Sequence, residues 1–237
     1  MKNSAIVLAA GSGSRMHSEV KKQYIEIAGK PLIYYSLNIM EKSFIDEVIL
    51  VVSQGDIDYV KECIVEKYGF KKVKAIVEGG KQRYNSVQSG LSAVSSDCDY
   101  VFIHDGARPF ITEDILERAK KAVIEYKACV VGMPVKDTIK IADKNGFTKT
   151  TPDRSTVWAV QTPQVFDYKF IKKLYDKLIE EEPVLIAHGI NITDDAMVAE
   201  MYSDIKVKLV EGDYTNIKVT TPDDLVVAEN LVKQSGE

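Results

Sequence analysis

The chain has 237 residues, 45% hydrophobic and 28% charged, a balance that fits one α/β domain able to bury most of its apolar surface without disulfides or a structural metal. Its formal net charge of −4 excludes a general nucleic-acid binder, whose electrostatic footprint is basic, but leaves room for a local basic pocket. Cys63, Cys98 and Cys129 are far apart with no metal-ligating spacing, and no leader-like or membrane-spanning run opens the chain, so a cytoplasmic protein is expected.

Ala5–Ala9 reads as a first buried strand. It runs into Leu8-Ala-Ala-Gly-Ser-Gly-Ser-Arg-Met16, with Lys22-Gln-Tyr24 just beyond. Gly11 and Gly13 permit a sharp bend and close approach of a ligand, successive amides make an anion cradle, and Arg15 and Lys22 add positive charge. Such a loop suits a polyphosphate. It is not a Walker loop, because no Gly-Lys-Ser/Thr follows. It is not Gly-x-Gly-x-x-Gly, because Met16 stands where the third glycine belongs. A purely geometric strand-to-helix turn is the alternative.

Pro31–Met40 reads as a helix with Pro31 in its first turn. Val48–Val52 is apolar throughout, as strands buried on both faces are, which favours a parallel sheet. Asp56–Tyr68 is a helix, with Val60, Cys63, Ile64 and Tyr68 at helical spacing, and Val73–Val77 is a third strand. Gly79-Gly80 turns into a helix from Arg83 to Val94. Tyr100–His104 is a fourth strand that ends in His104-Asp-Gly-Ala-Arg-Pro109, Glu113–Tyr126 a helix and Ala128–Val131 a fifth strand. Alternating strands and helices imply a doubly wound, mostly parallel, Rossmann-like sheet with its ligand beyond the carboxyl ends of the strands.

The rhythm changes after Pro134. Residues 136–156 are polar and β-prone around the turn signal Asp143-Lys-Asn-Gly146, so Thr138–Ala142 and Thr148–Thr151 read as two arms of a hairpin. A hairpin leaving an α/β body has open edges, so this arm is expected to pack against a second subunit. A helix over Asp167–Glu180 restores the rhythm. Thr193-Asp-Asp-Ala196 starts another, capped by Thr193 or Asp194. Ile205–Val210 and Asn216–Thr220 read as strands, and Pro222 opens the last helix. No repeat or linker divides residues 1–237, which form one domain carrying the arm.

Asp105, just past a buried strand and facing a cationic loop, reads as a magnesium ligand, since Mg²⁺ takes few carboxylate oxygens and adds phosphate and water. Pairing with Arg108 or capping the next helix is the alternative. Lys218 alternates with Ile217 and Val219, so it points away from them, toward ligand or toward water. Thr138, Arg154, Thr162 and Thr193 carry no individual signal. His104 reads as a buried, satisfied histidine. With His17 and His188 also lacking local support, no hydrolase triad is expected.

The glycine loop with Lys22-Gln-Tyr24 resembles the signature of the sugar-phosphate nucleotidyltransferases. Gly79-Gly80 with Arg83 and Ser86-Val87, His104-Asp-Gly-Ala-Arg-Pro109, Pro134-Val-Lys-Asp-Thr138, Asp153-Arg154, Gln161-Thr-Pro-Gln164, Ile192-Thr-Asp-Asp195 and Asn216-Ile-Lys-Val-Thr220 narrow the resemblance to the 2-C-methyl-D-erythritol 4-phosphate cytidylyltransferase family, from residue 4 to about residue 230. The resemblance implies transfer of CMP from CTP to methylerythritol phosphate with release of pyrophosphate, in non-mevalonate isoprenoid precursor synthesis. It also implies a homodimer, Mg²⁺ or another divalent cation, and no nucleic acid or membrane.

It further implies catalytic roles for Arg15, Lys22 and Lys218. The nucleotide would lie against Ala9, Ala10, Gly11, Ser12, Gly13, Gly79, Gly80, Arg83, Ser86 and Asp105. The polyol phosphate would meet Asp105, Arg108, Thr138, Thr162, Thr193, Lys218 and Arg154 of a second subunit, and Asp105 would hold the metal. The acceptor phosphate is already an anionic nucleophile, so no general base is needed. Two positions depart from the family pattern: Lys21 stands where proline is common, and Lys81 where an acid is frequent. A ribitol-5-phosphate cytidylyltransferase is the nearest rival reading. A UTP- or GTP-dependent relative, a nucleotide-binding protein without catalysis and a dinucleotide dehydrogenase are more distant ones.

Overall fold

The chain, seen in a computed structural model that describes residues 1–11, 13, 16 and 20–235, starts with strand β1, Asn3–Ala9. A small ribbon, β2 (Glu26–Ile27) and β3 (Lys30–Pro31), leads to helix α1 (Leu32–Lys42). Then come β4 (Glu47–Val52), α2 (Ile57–Val60, prolonged as a π-helix over Lys61–Glu66), β5 (Val73–Glu78) and α3 (Arg83–Ala93). β6 (Tyr100–Asp105), α4 (Glu113–Tyr126) and β7 (Ala128–Pro134) follow. The second half holds β8 (Ile141–Ala142), β9 (Thr148–Thr150), β10 (Trp158–Asp167), α5 (Tyr168–Ala187), α6 (Asp195–Tyr202), β11 (Lys208–Glu211) and α7 (Pro222–Ser235).

Seven strands make one sheet in the order β11-β7-β10-β6-β1-β4-β5. All neighbours are parallel except β10, which runs antiparallel to both β6 and β7. The expected doubly wound, mostly parallel sheet is therefore present. Side chains alternate across it with the two-residue period of a strand. Val7, Val48 and Leu50 enter one core with α1, α2 and α4, while Ile6, Ile49 and Val51 enter the other with α3, α5 and α6. Truncating the fully buried Leu50 to alanine costs about 3 kcal/mol, as for core leucines generally.

Gly90 sets the seating of α3: a Cβ there would lie 2.6 Å from Ile6 Cγ2 and 3.1 Å from Val51 Cγ2. The register Leu8↔Asp105 and Ala9↔Val52 brings the carboxyl ends of β1, β4 and β6 level at one edge.

Four sequence expectations change. β10 replaces a stretch read as motif rather than strand. Pro163 has no N–H for the ladder, and the register shift between Val160 and Gln164 absorbs it; the Thr162–Pro163 peptide is cis. Asn216–Thr220 belongs to no sheet; its backbone reaches the body through the Val219 N–H, which donates to Ala107 O at 2.9 Å. α5 continues past Glu180 to Ala187 with Pro183 inside it. The hairpin is present but short, with β8 and β9 antiparallel and every residue of both exposed.

Candidate active site

A cleft of about 460 Å³ opens at the carboxyl ends of β1, β5 and β6. One wall is the glycine loop: Ala9, Ala10, Gly11 and Gly13, with Lys22. Gly13 has φ +63°, a left-handed conformation that glycine adopts without strain, and a Cβ there would lie 2.8 Å from Lys22 Cβ. Gln23 fastens the loop to β1 by donating from Nε2 to Ala9 O at 2.7 Å. Arg15 and Ser12, expected here as well, lie outside the described residues, as does His17.

The opposite wall is the β5–α3 turn. Gly79 allows close approach, since a Cβ on it would meet Ala10 Cβ at 2.5 Å and Ser86 Oγ at 2.6 Å. The Gly80 N–H donates to Ser86 Oγ at 3.2 Å, which turns that hydroxyl toward the wall. Gln82 and Asn85 form a reciprocal cap on α3, and Arg83 begins the helix. Gly80, Lys81, Arg83 and Ser86 line the cleft; Gly79 supports them from behind.

The floor is Asp105, at the end of β6. Lys218 Nζ donates to its Oδ2 at 2.6 Å, and Arg83 approaches its Oδ1 at 3.5 Å. Lys218 faces the cleft because Val219 is fully buried with Ala228 and Val232 of α7, which turns the intervening side chain the other way. Burial alone would raise the Asp105 carboxyl. Arg83 first and Lys218 second outweigh it and hold the group well below the usual carboxylate range.

Arg83 is itself bolted in place. Its two terminal nitrogens donate to Asp195 Oδ1 and Oδ2, both at 2.8 Å, and Asp195 is fully buried. Tyr175 of α5 donates a third hydrogen bond to the same carboxylate. Burial would lower the guanidinium, but Asp195 and then Asp105 raise it well above its ordinary value. α6 is held by β10: Gln164 Oε1 accepts from the Ala196 N–H at 2.7 Å and Gln164 Nε2 donates to Asp194 Oδ2 at 2.9 Å. Asp194, not Thr193, caps α6. Neither Asp195 nor Tyr175 carried a role in the sequence reading; the Ile192-Thr-Asp-Asp195 motif marked the first, and nothing local marked the second.

Other expected substrate residues are engaged elsewhere. The Thr162 hydroxyl accepts from the Asp105 N–H at 3.1 Å, so its own hydrogen goes to His104 Nδ1 at 3.0 Å, leaving Nε2–H to donate to Arg108 O at 3.1 Å. His104 is thus a neutral, satisfied core group, and burial lowers its pKa to about 4. Arg108 donates to Asn216 O at 2.8 Å and Val160 O at 3.3 Å. Thr138 and Arg154 sit on the exposed arm and do not line this cleft, and Arg154 donates to its own Lys136 O at 3.0 Å. Thr193 is exposed beside α6.

A glycine cradle with an adjacent lysine, set against an acidic side chain at the ends of parallel strands, makes an α/β site suited to a nucleotide's phosphates. The chain matches the 2-C-methyl-D-erythritol 4-phosphate cytidylyltransferase family over residues 4–234. It is 47% identical over 233 residues to the protein of that name from Lachnoclostridium phytofermentans, covering 98% of this chain and 97% of that one. It is 49% identical over 232 residues to that of Lachnospira eligens, covering 98% and 99%. The crystal structure of 4-diphosphocytidyl-2C-methyl-D-erythritol synthase from Anaerococcus prevotii superposes with a TM-score of 0.84 at 36% identity, covering 98% of this chain and 96% of that one. The chain therefore belongs to the 2-C-methyl-D-erythritol 4-phosphate cytidylyltransferase family and is a nucleotidyltransferase.

Proposed function

We propose that the cleft binds CTP and 2-C-methyl-D-erythritol 4-phosphate and joins them into CDP-methylerythritol and pyrophosphate. A phosphate oxygen of the polyol attacks the α-phosphorus of CTP. The bond from that phosphorus to the bridging oxygen of the β-phosphate breaks, and pyrophosphate carries the electron pair away. The acceptor is anionic at neutral pH, so the enzyme's task is to bring two anions together and offset charge at the α-phosphate. Lys22 on the loop supplies that charge, with Arg15 assigned beside it by family resemblance. The Gly80 and Ser86 wall meets the base, and Lys218 meets the acceptor phosphate at the floor. The observation that carries this reading is the ionised Asp105 held between Arg83 and Lys218 beside a glycine cradle.

Asp105 is the residue that would hold a divalent cation here, with the nucleotide's phosphates and water supplying its other ligands. Among the described residues no group of three or more acidic, histidine or cysteine side chains could hold a metal alone, but Mg²⁺ needs only one or two carboxylates when phosphate and water complete its shell. Asp105 Oδ1 accepts from two nitrogens of Arg83, whereas Oδ2 accepts from Lys218 and keeps a lone pair. The ion would neutralise charge on the phosphates.

The arm packs against a second copy and carries Thr138 and Arg154 toward the partner's cleft. Supporting this are the unpaired outer edges of β8 and β9 and the apolar Ile141 and Phe147, the latter 73% exposed. Among the described residues no helix is long and apolar enough to cross a membrane.

The test is pyrophosphate release by the purified chain with CTP and Mg²⁺, with methylerythritol 4-phosphate or ribitol 5-phosphate as acceptor. Release with methylerythritol 4-phosphate is expected. Release with ribitol 5-phosphate alone would overturn the acceptor and leave the CTP site standing.

A further inference from the structure

Both ends of the glycine loop are tied to one short turn, residues 53–56, between β4 and α2. At the loop's entry, Ser53 Oγ donates to Ala10 O at 3.3 Å. At its exit, Lys21 Nζ donates to Asp56 Oδ1 at 2.6 Å and Tyr24 OH donates to Asp56 Oδ2 at 2.9 Å. Asp56 is spared from capping α2, since its side chain makes no hydrogen bond to that helix. Its two oxygens instead grip the residues flanking Lys22-Gln23. Tyr24 is buried and packs edge-on against Tyr59 with ring centroids 5.1 Å apart, so the grip has a rigid base. Lys21 does not line the cleft, whereas Lys22 does.

From this geometry we infer that Asp56 is a positioning residue for the transfer reaction, setting Lys22 in the cleft through Lys21 and Tyr24, and that Lys21 is a tether and not a second phosphate ligand. The inference rests on the assignment of Lys22 to the triphosphate. A tether of this kind holds backbone in one conformation, so any other device that does the same can replace it. Lys21 has φ −58° and ψ 135°, within the range of proline, whose ring locks φ near −65°. Proline at this position restores the restraint without the charge. A phosphate ligand could not be replaced that way.

The experiment is steady-state kinetics of the full chain with CTP, methylerythritol 4-phosphate and Mg²⁺, for the wild type, Lys21→Ala, Lys21→Pro, Asp56→Asn and Lys21→Ala/Asp56→Asn, each with a thermal melt. The Lys21 side chain is 40% exposed, so its replacement leaves the core intact. Lys21→Ala and Asp56→Asn are each expected to lower kcat roughly tenfold, since small misplacements of a catalytic group cost one to two orders of magnitude, with a smaller change in KM for CTP. The double variant should be no worse than either single one, and Lys21→Pro should keep kcat within about threefold of the wild type.

Lys21→Pro as impaired as Lys21→Ala, with a raised KM for CTP in both and normal kinetics in Asp56→Asn, would make Lys21 a phosphate ligand and overturn the inference. Additive losses in the double variant would overturn it too. Failure of the underlying assignment looks different: Lys22→Ala would turn over like the wild type, and the tether would then have nothing to position.

Discussion

Lys218 Nζ lies 2.6 Å from Asp105 Oδ2 at the floor of the cleft, although the two residues are 113 positions apart in the chain. The pair does two things. It helps Arg83 keep the carboxylate ionised, and in the proposed reading it places an ammonium where the acceptor phosphate would arrive. Lys218→Ala is expected to lower kcat/KM for the polyol phosphate by about a hundredfold, the usual loss for one preorganised charge contact, with an unchanged circular dichroism spectrum. Near wild-type turnover would remove Lys218 from the acceptor site.

Asp105 also has a pH signature. Its folded value is depressed, so its contribution to stability is fully present above its unfolded value, about 3.9, and is lost as pH falls through the lower folded value. Urea unfolding of the wild type and Asp105→Asn should therefore differ by a constant amount from neutral pH down to about pH 4 and converge below it. A difference that grows on acidification would contradict the direction of the shift.

His104 acts over a different window. Its folded pKa, about 4, lies below the ordinary 6.5. The unfolded chain then binds the extra proton between those values, and stability falls as pH drops through that range. Between pH 7 and pH 5 the wild type should lose about 2 kcal/mol that His104→Gln does not lose. Parallel pH profiles for the two proteins would mean that His104 titrates normally.

Arg83, whose side chain is 28% exposed at the cleft, and the fully buried Asp195 form a bidentate pair, so removing the carboxylate strands the guanidinium. Asp195→Asn should destabilise the chain by about 3 kcal/mol in urea unfolding, the low end for a buried pair. Tyr175→Phe, which removes only one hydrogen bond to the same carboxylate, should cost about 1–2 kcal/mol. Equal costs would show that the Tyr175 hydroxyl and the guanidinium are not ranked as the geometry ranks them.

Gly13→Ala combines an unfavourable positive φ with a Cβ 2.8 Å from Lys22 Cβ. The new methyl must push Lys22 off its place, so turnover should fall about as far as in Lys22→Ala, roughly a hundredfold. The stability loss should be only about 1 kcal/mol, the scale of an alanine forced to positive φ. Full activity in Gly13→Ala would show that the loop adapts.

Much of this protein is decided locally and could be read in advance. Ile49, Leu50 and Val51 are apolar without interruption, so β4 had to be a strand covered on both faces, and β1 and β6 follow the same reasoning. Gly11, Gly13 and Lys22 are close in sequence, and a glycine loop after a buried strand has few places to be except at a strand's carboxyl end. What stayed hidden depends on contacts between distant segments. Pro163 made β10 look unlike a strand, and only the bulge opposite Gly132 and Val130 of β7 accommodates it. Asn216–Thr220 has strand-like alternation but finds no neighbour to pair with.

The direction of Lys218 could not follow from alternation alone. It needed α7 to bury Val219 on one side and β6 to present Asp105 on the other. The Arg83–Asp195 pair spans 112 residues and the Lys21–Asp56 pair 35. The order of residues determined the strands, the glycine loop and which charges were available. The tertiary structure alone decided which of those charges meet, because a charge can be paired only after the sheet has set its ends side by side.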